Sequence, residues 1–212
     1  DCYLVMLEEK PHYSISKTKE VTTYKFEEYL TTRLVDDYLN TRLTFFSHSH
    51  LNKIQFTTET TRKYIDLTDQ KEKPDKIDIY ITNLHLDKEL NSNPQPYLAI
   101  ECKRIYKSSS VDEYISDIQK FTERKHTQTR LPIEGQLAFI ESQKYAHNIT
   151  VENISQKLQF NPSITTTQLL KPQQFHKEFD SSYSSKHKRN FGEKKAFTIY
   201  HLFFDYTGIV CG

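Results

Sequence analysis

The chain has 212 residues, 29 Lys+Arg against 28 Asp+Glu, three Cys and four Gly. That length allows one domain with a sizeable core, and a net charge of +1 excludes a uniformly basic nucleic-acid binder while leaving room for a local basic groove. No apolar run reaches the roughly 18 residues of a membrane span, so a soluble, cytoplasmic protein is expected.

Cys2-Tyr3-Leu4-Val5-Met6-Leu7 is apolar but lacks the basic flank and cleavage pattern of a signal peptide. Cys2, Cys102 and Cys211 are too scattered for a disulfide framework or a zinc site and suit a reducing compartment. Fourteen Tyr and thirteen Phe supply the buried area that a modest aliphatic content does not.

In chain order, Phe26, Leu30, Leu34 and Tyr38 recur at helical spacing and predict a helix over 25–40. Residues 54–59 and 63–67 read as two short β-prone stretches, and 68–76 as a polar connection. Residues 77–84 predict a strand with Ile77, Ile79 and Ile81 on one face and Asp78, Tyr80 and Thr82 on the other. Turn-rich residues 87–96 precede a second strand over 97–104, forming a hairpin. Val111, Tyr114, Ile115, Ile118 and Phe121 make the stripe of an amphipathic helix over 111–125. Residues 136–141 predict a strand and 144–159 a helix with Val151, Ile154 and Leu158 inward. Residues 160–195 are poorly patterned and read as a loop-rich insertion, and 196–206 closes the chain as a strand. The whole reads as one mixed α/β domain over 1–212, with its core at about 25–142 plus the last strand.

The chemistry concentrates at Asp78 and Glu101-Cys102-Lys103. Strand residues two apart share a face, so Glu101 and Lys103 project together while Ile100 and Cys102 pack behind. Asp78 on the neighbouring strand would bring a second carboxylate to the same patch. Two carboxylates suit a magnesium ion, which takes oxygen ligands and keeps several waters; the lysine would orient a water or offset charge developing on a phosphoryl group. The same acid-x-Lys pattern at Glu8-Lys10, Asp69-Lys71, Glu123-Lys125 and Glu193-Lys195 lacks an apolar strand around it. The alternative for the central cluster is a half-solvated sheet face with a cross-strand ion pair.

These residues resemble the PD-(D/E)xK nuclease superfamily, the restriction-endonuclease-like proteins. The likeness runs through Pro74-Asp75-Lys76-Ile77-Asp78, Tyr97-Leu98-Ala99-Ile100-Glu101-Cys102-Lys103-Arg104 and the helix after it, over about 25–142. It implies a central mixed sheet flanked by helices and metal-dependent (Mg2+, with Mn2+ as substitute) hydrolysis of DNA phosphodiesters. Asp78, Glu101 and the Cys102 carbonyl map to metal ligands and Lys103 to the catalytic lysine. Asp78 is preferred to Asp75 because it lies inside the strand. Many members add a Glu from the first core helix: Glu27 is favoured over Glu28, with Glu59 a weaker candidate. Gln119 is followed four residues later by Glu123 rather than Tyr, a departure from the exonuclease branch.

Arg104, Lys120, Arg124, Lys186, His187 and Arg189, with Lys107, Lys125, Arg130 and Lys188 beside them, are candidate DNA-backbone contacts. Residues 101–130 hold seven bases against five acids, and 171–195 seven against three. His48-Ser49-His50 lacks a third ligand nearby, and His201 reads as a satisfied structural histidine. No nucleotide-binding glycine motif is present. A homodimer would supply one site per strand. A catalytically inactive nucleic-acid-binding or assembly module and an RNA-cleaving nuclease stand as the alternative functions.

Overall fold

A computed structural model describes residues 2–41, 54–67, 69–83, 96–126, 131–191 and 195–212. His48-Ser49-His50, Arg130, Glu193 and most of the turn between the two hairpin strands lie outside the described residues. In chain order the elements are α1 (Cys2–Glu9), β1 (Tyr13–Ser14), α2 (Ile15–Val21), α3 (Phe26–Arg33, continuing as a π-helix over Leu34–Asn40), β2 (Ile54–Ile65), β3 (Glu72–Asn83), β4 (Leu98–Ile105), α4 (Ser109–Glu123), β5 (Lys125–His126), β6 (Ile133–Ile140), α5 (His147–Gln159), β7 (Thr166–Pro172), β8 (Ser182–Lys188), β9 (Ala196–Asp205) and β10 (Val210–Cys211). No helix among the described residues is long and apolar enough to cross a membrane.

The fold is mixed α/β, as the patterning predicts. Eight strands form one sheet in the order β5-β2-β3-β4-β6-β9-β8-β7. β2, β3 and β4 are antiparallel; β4, β6 and β9 run parallel; β8 and β7 return antiparallel. α1 and α3 cover one face, where Met6, Leu30, Leu34, Val35 and Tyr38 pack against Ile79, Cys102, Leu137 and Phe139. α4 and α5 cover the other, with Val111, Tyr114, Ile118, Phe121, Ile154 and Leu158 against Ile105, Ala138, Ile199 and Phe203. Each such fully buried side chain contributes about 1.5–3 kcal/mol relative to exposure, so both helical stripes are held by packing as well as by propensity.

Three expectations are corrected, and two helices appear where no element is predicted. Residues 54–59 and 63–67 belong to one strand, β2, and the polar residues 72–76 form the first part of β3, because eleven paired positions from Ile54↔Asn83 to Ile65↔Glu72 hold them together. Residues 160–195 are no loop-rich insertion: they contribute β7 and β8 to the sheet. The apolar Cys2–Glu9 and the polar Ile15–Val21 are helical. Finally, Ile77 does not share a face with Ile79 and Ile81. Those two join the α1–α3 core, whereas Ile77 packs with Tyr80, Tyr97 and Ala99. The phase changes around Asp78, opposite Glu59, whose φ of 56° lies in the left-handed region. A non-glycine residue held there costs on the order of 1–3 kcal/mol and breaks the regular alternation.

Gly135, opposite Ile100 at the β4–β6 junction, is required by close approach. A Cβ at this position would stand 2.6 Å from Ile100 Cγ1, on a β-branched side chain that cannot swing clear. Gly135→Ala is expected to destabilise by about 1–3 kcal/mol, as overpacked cores do. Urea unfolding measures it; an unchanged midpoint would contradict the tight β4–β6 contact.

Candidate active site

The site forms where β3 and β4 part. Their backbone pairing ends at Ile79↔Ile100. One step further, Asp78 Oδ2 accepts the Cys102 N–H at 2.7 Å, so a side chain stands where the ladder would continue. A strand residue's N–H and C=O point to the same side; the Cys102 carbonyl therefore faces the fork as well. Its thiol is fully buried in the α1–α3 core, and burial pushes its pKa up, so the sulfur takes no part.

Glu101 lies across from Asp78 when the register is continued, and it is buried. Among the described residues its carboxylate makes no hydrogen bond and no ion pair. Burial, and then the charges of Asp78, Asp117 and Asp75, raise its pKa well above the usual carboxylate range. Burial likewise pushes Asp78 up to about 6; the Cys102 N–H and Lys103 oppose the rise, and Glu27 and Asp117 add to it. The fork is thus an electrostatically unfavourable place for two anions.

Lys103 projects from β4 beside them. Its Nζ donates to Glu27 Oε1 at 2.9 Å and lies 3.4 Å from Asp117 Oδ2, while Glu27 Oε2 accepts the Arg104 N–H at 3.0 Å. Burial pulls the ammonium's pKa down, but Asp117 and Glu27 outweigh it and hold the pKa above its ordinary value. Lys103 is a fixed cation.

The structure therefore gathers Glu27, Asp78, Glu101 and Lys103. Glu28 and Glu59 turn instead to Lys76, and Asp75 is ion-paired with Arg124. Sequence reasoning missed Asp117. It is 2% exposed and sits on the apolar stripe of α4, three residues after Tyr114 and four before Phe121. A carboxylate in such a stripe was the available signal.

The candidate backbone contacts divide. Lys120 and Arg124 line a cavity of about 410 Å³ with Tyr64 and Asn190, and Lys186 lies on the outer surface of β8. The other three are corrected. Arg104 is bound through two hydrogen bonds of 2.5 and 2.6 Å to Glu141, between the Phe26 and Tyr106 rings. His187 is fully buried; Ser185 Oγ lies 2.7 Å from Nε2 of both His187 and His201. Arg189 is buried against Glu134 at 2.7 Å. Two strand periods explain the last pair: Lys186 and Lys188 face out, His187 and Arg189 face in. His201 is satisfied by Ser185 and by the Tyr114 hydroxyl, 2.8 Å from its Nδ1.

Among the described residues, no group of three or more His, Cys, Asp or Glu is placed to hold a metal ion. Two carboxylates with waters completing the shell are nevertheless a usual magnesium arrangement. The buried Glu101 carboxylate, with no hydrogen-bond donor among the described residues and with the Asp78 charge acting on it, fits a hard cation. Comparison of the chain with protein-family models, curated proteins and solved structures returns no match. The functional reading rests on the residues themselves.

Proposed function

We propose that the protein is a magnesium-dependent endonuclease that hydrolyses DNA phosphodiester bonds at the β3–β4 fork. The observation that carries this reading is the Asp78–Glu101 carboxylate pair, Asp78 half-buried and Glu101 buried with no hydrogen-bond donor among the described residues, with the Lys103 ammonium alongside. Asp78, Glu101 and the Cys102 carbonyl would hold the ion; manganese is the expected substitute. A bound ion would polarise a phosphoryl oxygen and lower the pKa of its water. Lys103, protonated and half-buried, would donate hydrogen bonds toward charge developing on the phosphoryl group; a fixed cation in a site of low dielectric does this without reorganising. Glu27 fixes the stem of β4 through Lys103 and the Arg104 amide. Lys120, Arg124 and Lys186 are the remaining candidates for phosphate contacts. The choice of DNA comes from the resemblance of Asp78 and Glu101-Cys102-Lys103 to the PD-(D/E)xK pattern.

Plasmid, linear duplex, single-stranded DNA and RNA incubated with Mg2+ or Mn2+ test this directly. DNA cleavage that disappears with Lys103→Ala is expected. Cleavage of RNA alone would transfer the site to the ribonuclease alternative. Binding without cleavage of any substrate would leave the non-catalytic module, and cleavage that survives Lys103→Ala would locate the chemistry elsewhere.

A further inference from the structure

We propose that Asp117 is a positioning residue that ties Lys103 and Lys120 into one two-cation clamp for a single phosphoryl group of the substrate. This rests on the nuclease reading and extends it to a residue outside the recognised motif. The Asp117 carboxylate divides between two lysines: Oδ1 lies 2.5 Å from Lys120 Nζ, and Oδ2 lies 3.4 Å from Lys103 Nζ. Its side chain is 3% exposed, whereas those of Lys103 and Lys120 are 15% and 39% exposed. One anion deep in the fold thus stands in ion-pair reach of an inner cation at the β3–β4 fork, which Glu27 also holds by a hydrogen bond of 2.9 Å, and binds an outer one at the mouth.

The two lysines come from different elements. Lys103 stands on β4, the central strand of the site, and Lys120 is one helical turn beyond Asp117 on α4. Without a shared anion, two neighbouring ammonium groups repel each other. With one, both stay within ion-pair reach of the same carboxylate, from which each can turn to an oxygen of one phosphate. Asp117 is itself set by α4, whose Tyr114 one turn earlier is hydrogen-bonded to His201 and whose main-chain carbonyl accepts from Gln136 Nε2 at 2.8 Å. Lys120 also lines the cavity of about 410 Å³ with Arg124, Tyr64 and Asn190 and with two carboxylates, Asp66, which is paired with Lys73, and Glu123, which accepts from Gln119; the cavity opens the outer cation to solvent. A phosphodiester would meet Lys120 on binding and Lys103 at the reacting centre.

The two ends of the clamp have different kinetic signatures. An interaction made equally in ground and transition states appears in KM; one made only in the transition state appears in kcat. Lys120→Met is expected to raise KM for DNA with kcat retained. Asp117→Asn is expected to raise KM and also to lower kcat by about 10²-fold, the scale of an ångström-level misplacement. In the Asp117→Asn background, Lys120→Met should add little further change in KM, because its ammonium is already released. Asp117→Glu, which keeps the charge, should recover part of kcat.

A readout independent of cleavage accompanies these. A buried, held ammonium exchanges its protons slowly enough to give a lysine side-chain N–H signal in heteronuclear NMR. That of Lys103, assigned with Lys103→Arg, should broaden away in Asp117→Asn and persist in Lys120→Met. Additive KM effects, or a Lys103 signal unchanged in Asp117→Asn, would overturn the clamp. Should Asp117→Asn fail to fold, Lys120→Met on the surface still decides: an unchanged KM overturns the proposal. A parent protein that cuts no nucleic acid overturns the nuclease reading, while the NMR signal continues to decide whether Asp117 positions Lys103.

Discussion

Asp78→Asn is expected to abolish cleavage and, at the same time, to stabilise the metal-free protein at neutral pH. The two effects share one cause. An ionised Asp78 is half-buried beside Glu101 and near Glu27 and Asp117, and desolvation dominates its pKa of about 6. Its unfolded value is near 3.9. The native state therefore holds its proton more tightly than the unfolded state does. That contribution to stability is present below about pH 4 and is lost as pH rises through about 6. At pH 7–8 the ionised group costs about 2–3 kcal/mol, which an amide avoids. The Asn oxygen can still accept the Cys102 N–H that Asp78 Oδ2 now takes.

A cation reverses the balance for the parent chain. Only the ionised carboxylates bind it, so protons and metal compete. Thermal unfolding of the parent should shift upward with added Mg2+ at pH 8 and hardly at all at pH 5, following the linkage of ligand binding to stability. Asp78→Asn should lose that shift while melting higher than the parent in chelator at pH 8. Glu101→Gln should behave alike, since its pKa is raised first by burial and then by Asp78, Asp117 and Asp75. Loss of cleavage is expected to exceed about 10³-fold, because several kcal/mol of transition-state stabilisation depend on the ion. If Asp78→Asn melts lower than the parent in chelator and Mg2+ shifts neither protein, the fork is an ordinary hydrogen-bonded junction.

The motif was legible because it interrupts apolar strands: Asp78 lies between isoleucines, and Glu101 and Lys103 alternate with Ile100 and Cys102. The stripes of α3, α4 and α5 were legible for the same reason, each repeating large apolar residues at helical spacing. Glu27 could be favoured over Glu28 only weakly, since both precede the same stripe; the side chains separate in space, one to Lys103 and the other toward Lys76. β7 and β8 were hidden by their chemistry. The buried face of β8 carries Ser185 and His187, whose burial is made tolerable by hydrogen bonds to each other and to His201 and Thr166 rather than by apolarity. A hydropathy pattern does not register a strand that satisfies its interior in this way. Burial holds the two histidines neutral, with pKa values lowered to about 4 and about 3. The phase change at Asp78 depends on the left-handed conformation of Glu59, which no propensity for glutamate suggests.

Arg189 is where sequence and structure give opposite expectations for one substitution. As part of a basic run it would be a solvent-facing phosphate contact, and Arg189→Ala would weaken DNA binding with little change in stability. In the fold its guanidinium is 2.7 Å from Glu134, donates to the Phe121 carbonyl at 2.8 Å and stacks over the Phe197 ring at 4.3 Å. Glu134 has 0% exposure. Removing the cation would leave a buried carboxylate without its charge partner, and such broken pairs cost about 3–5 kcal/mol. That approaches the whole stability of a marginal domain, about 5–15 kcal/mol. Arg189→Ala is therefore expected to shift the urea midpoint strongly. Pairing Arg189→Met with Glu134→Gln should recover much of the loss, because no charge then remains buried without a counter-ion. The Phe121 carbonyl belongs to the last turn of α4, where Arg189 satisfies a group that the helix itself leaves open. Loosening that turn would move Lys120 and Asp117, so any surviving cleavage in Arg189→Ala should fall along with stability and recover in the double variant. Reduced DNA affinity at unchanged stability would return Arg189 to the surface role that the basic run suggests.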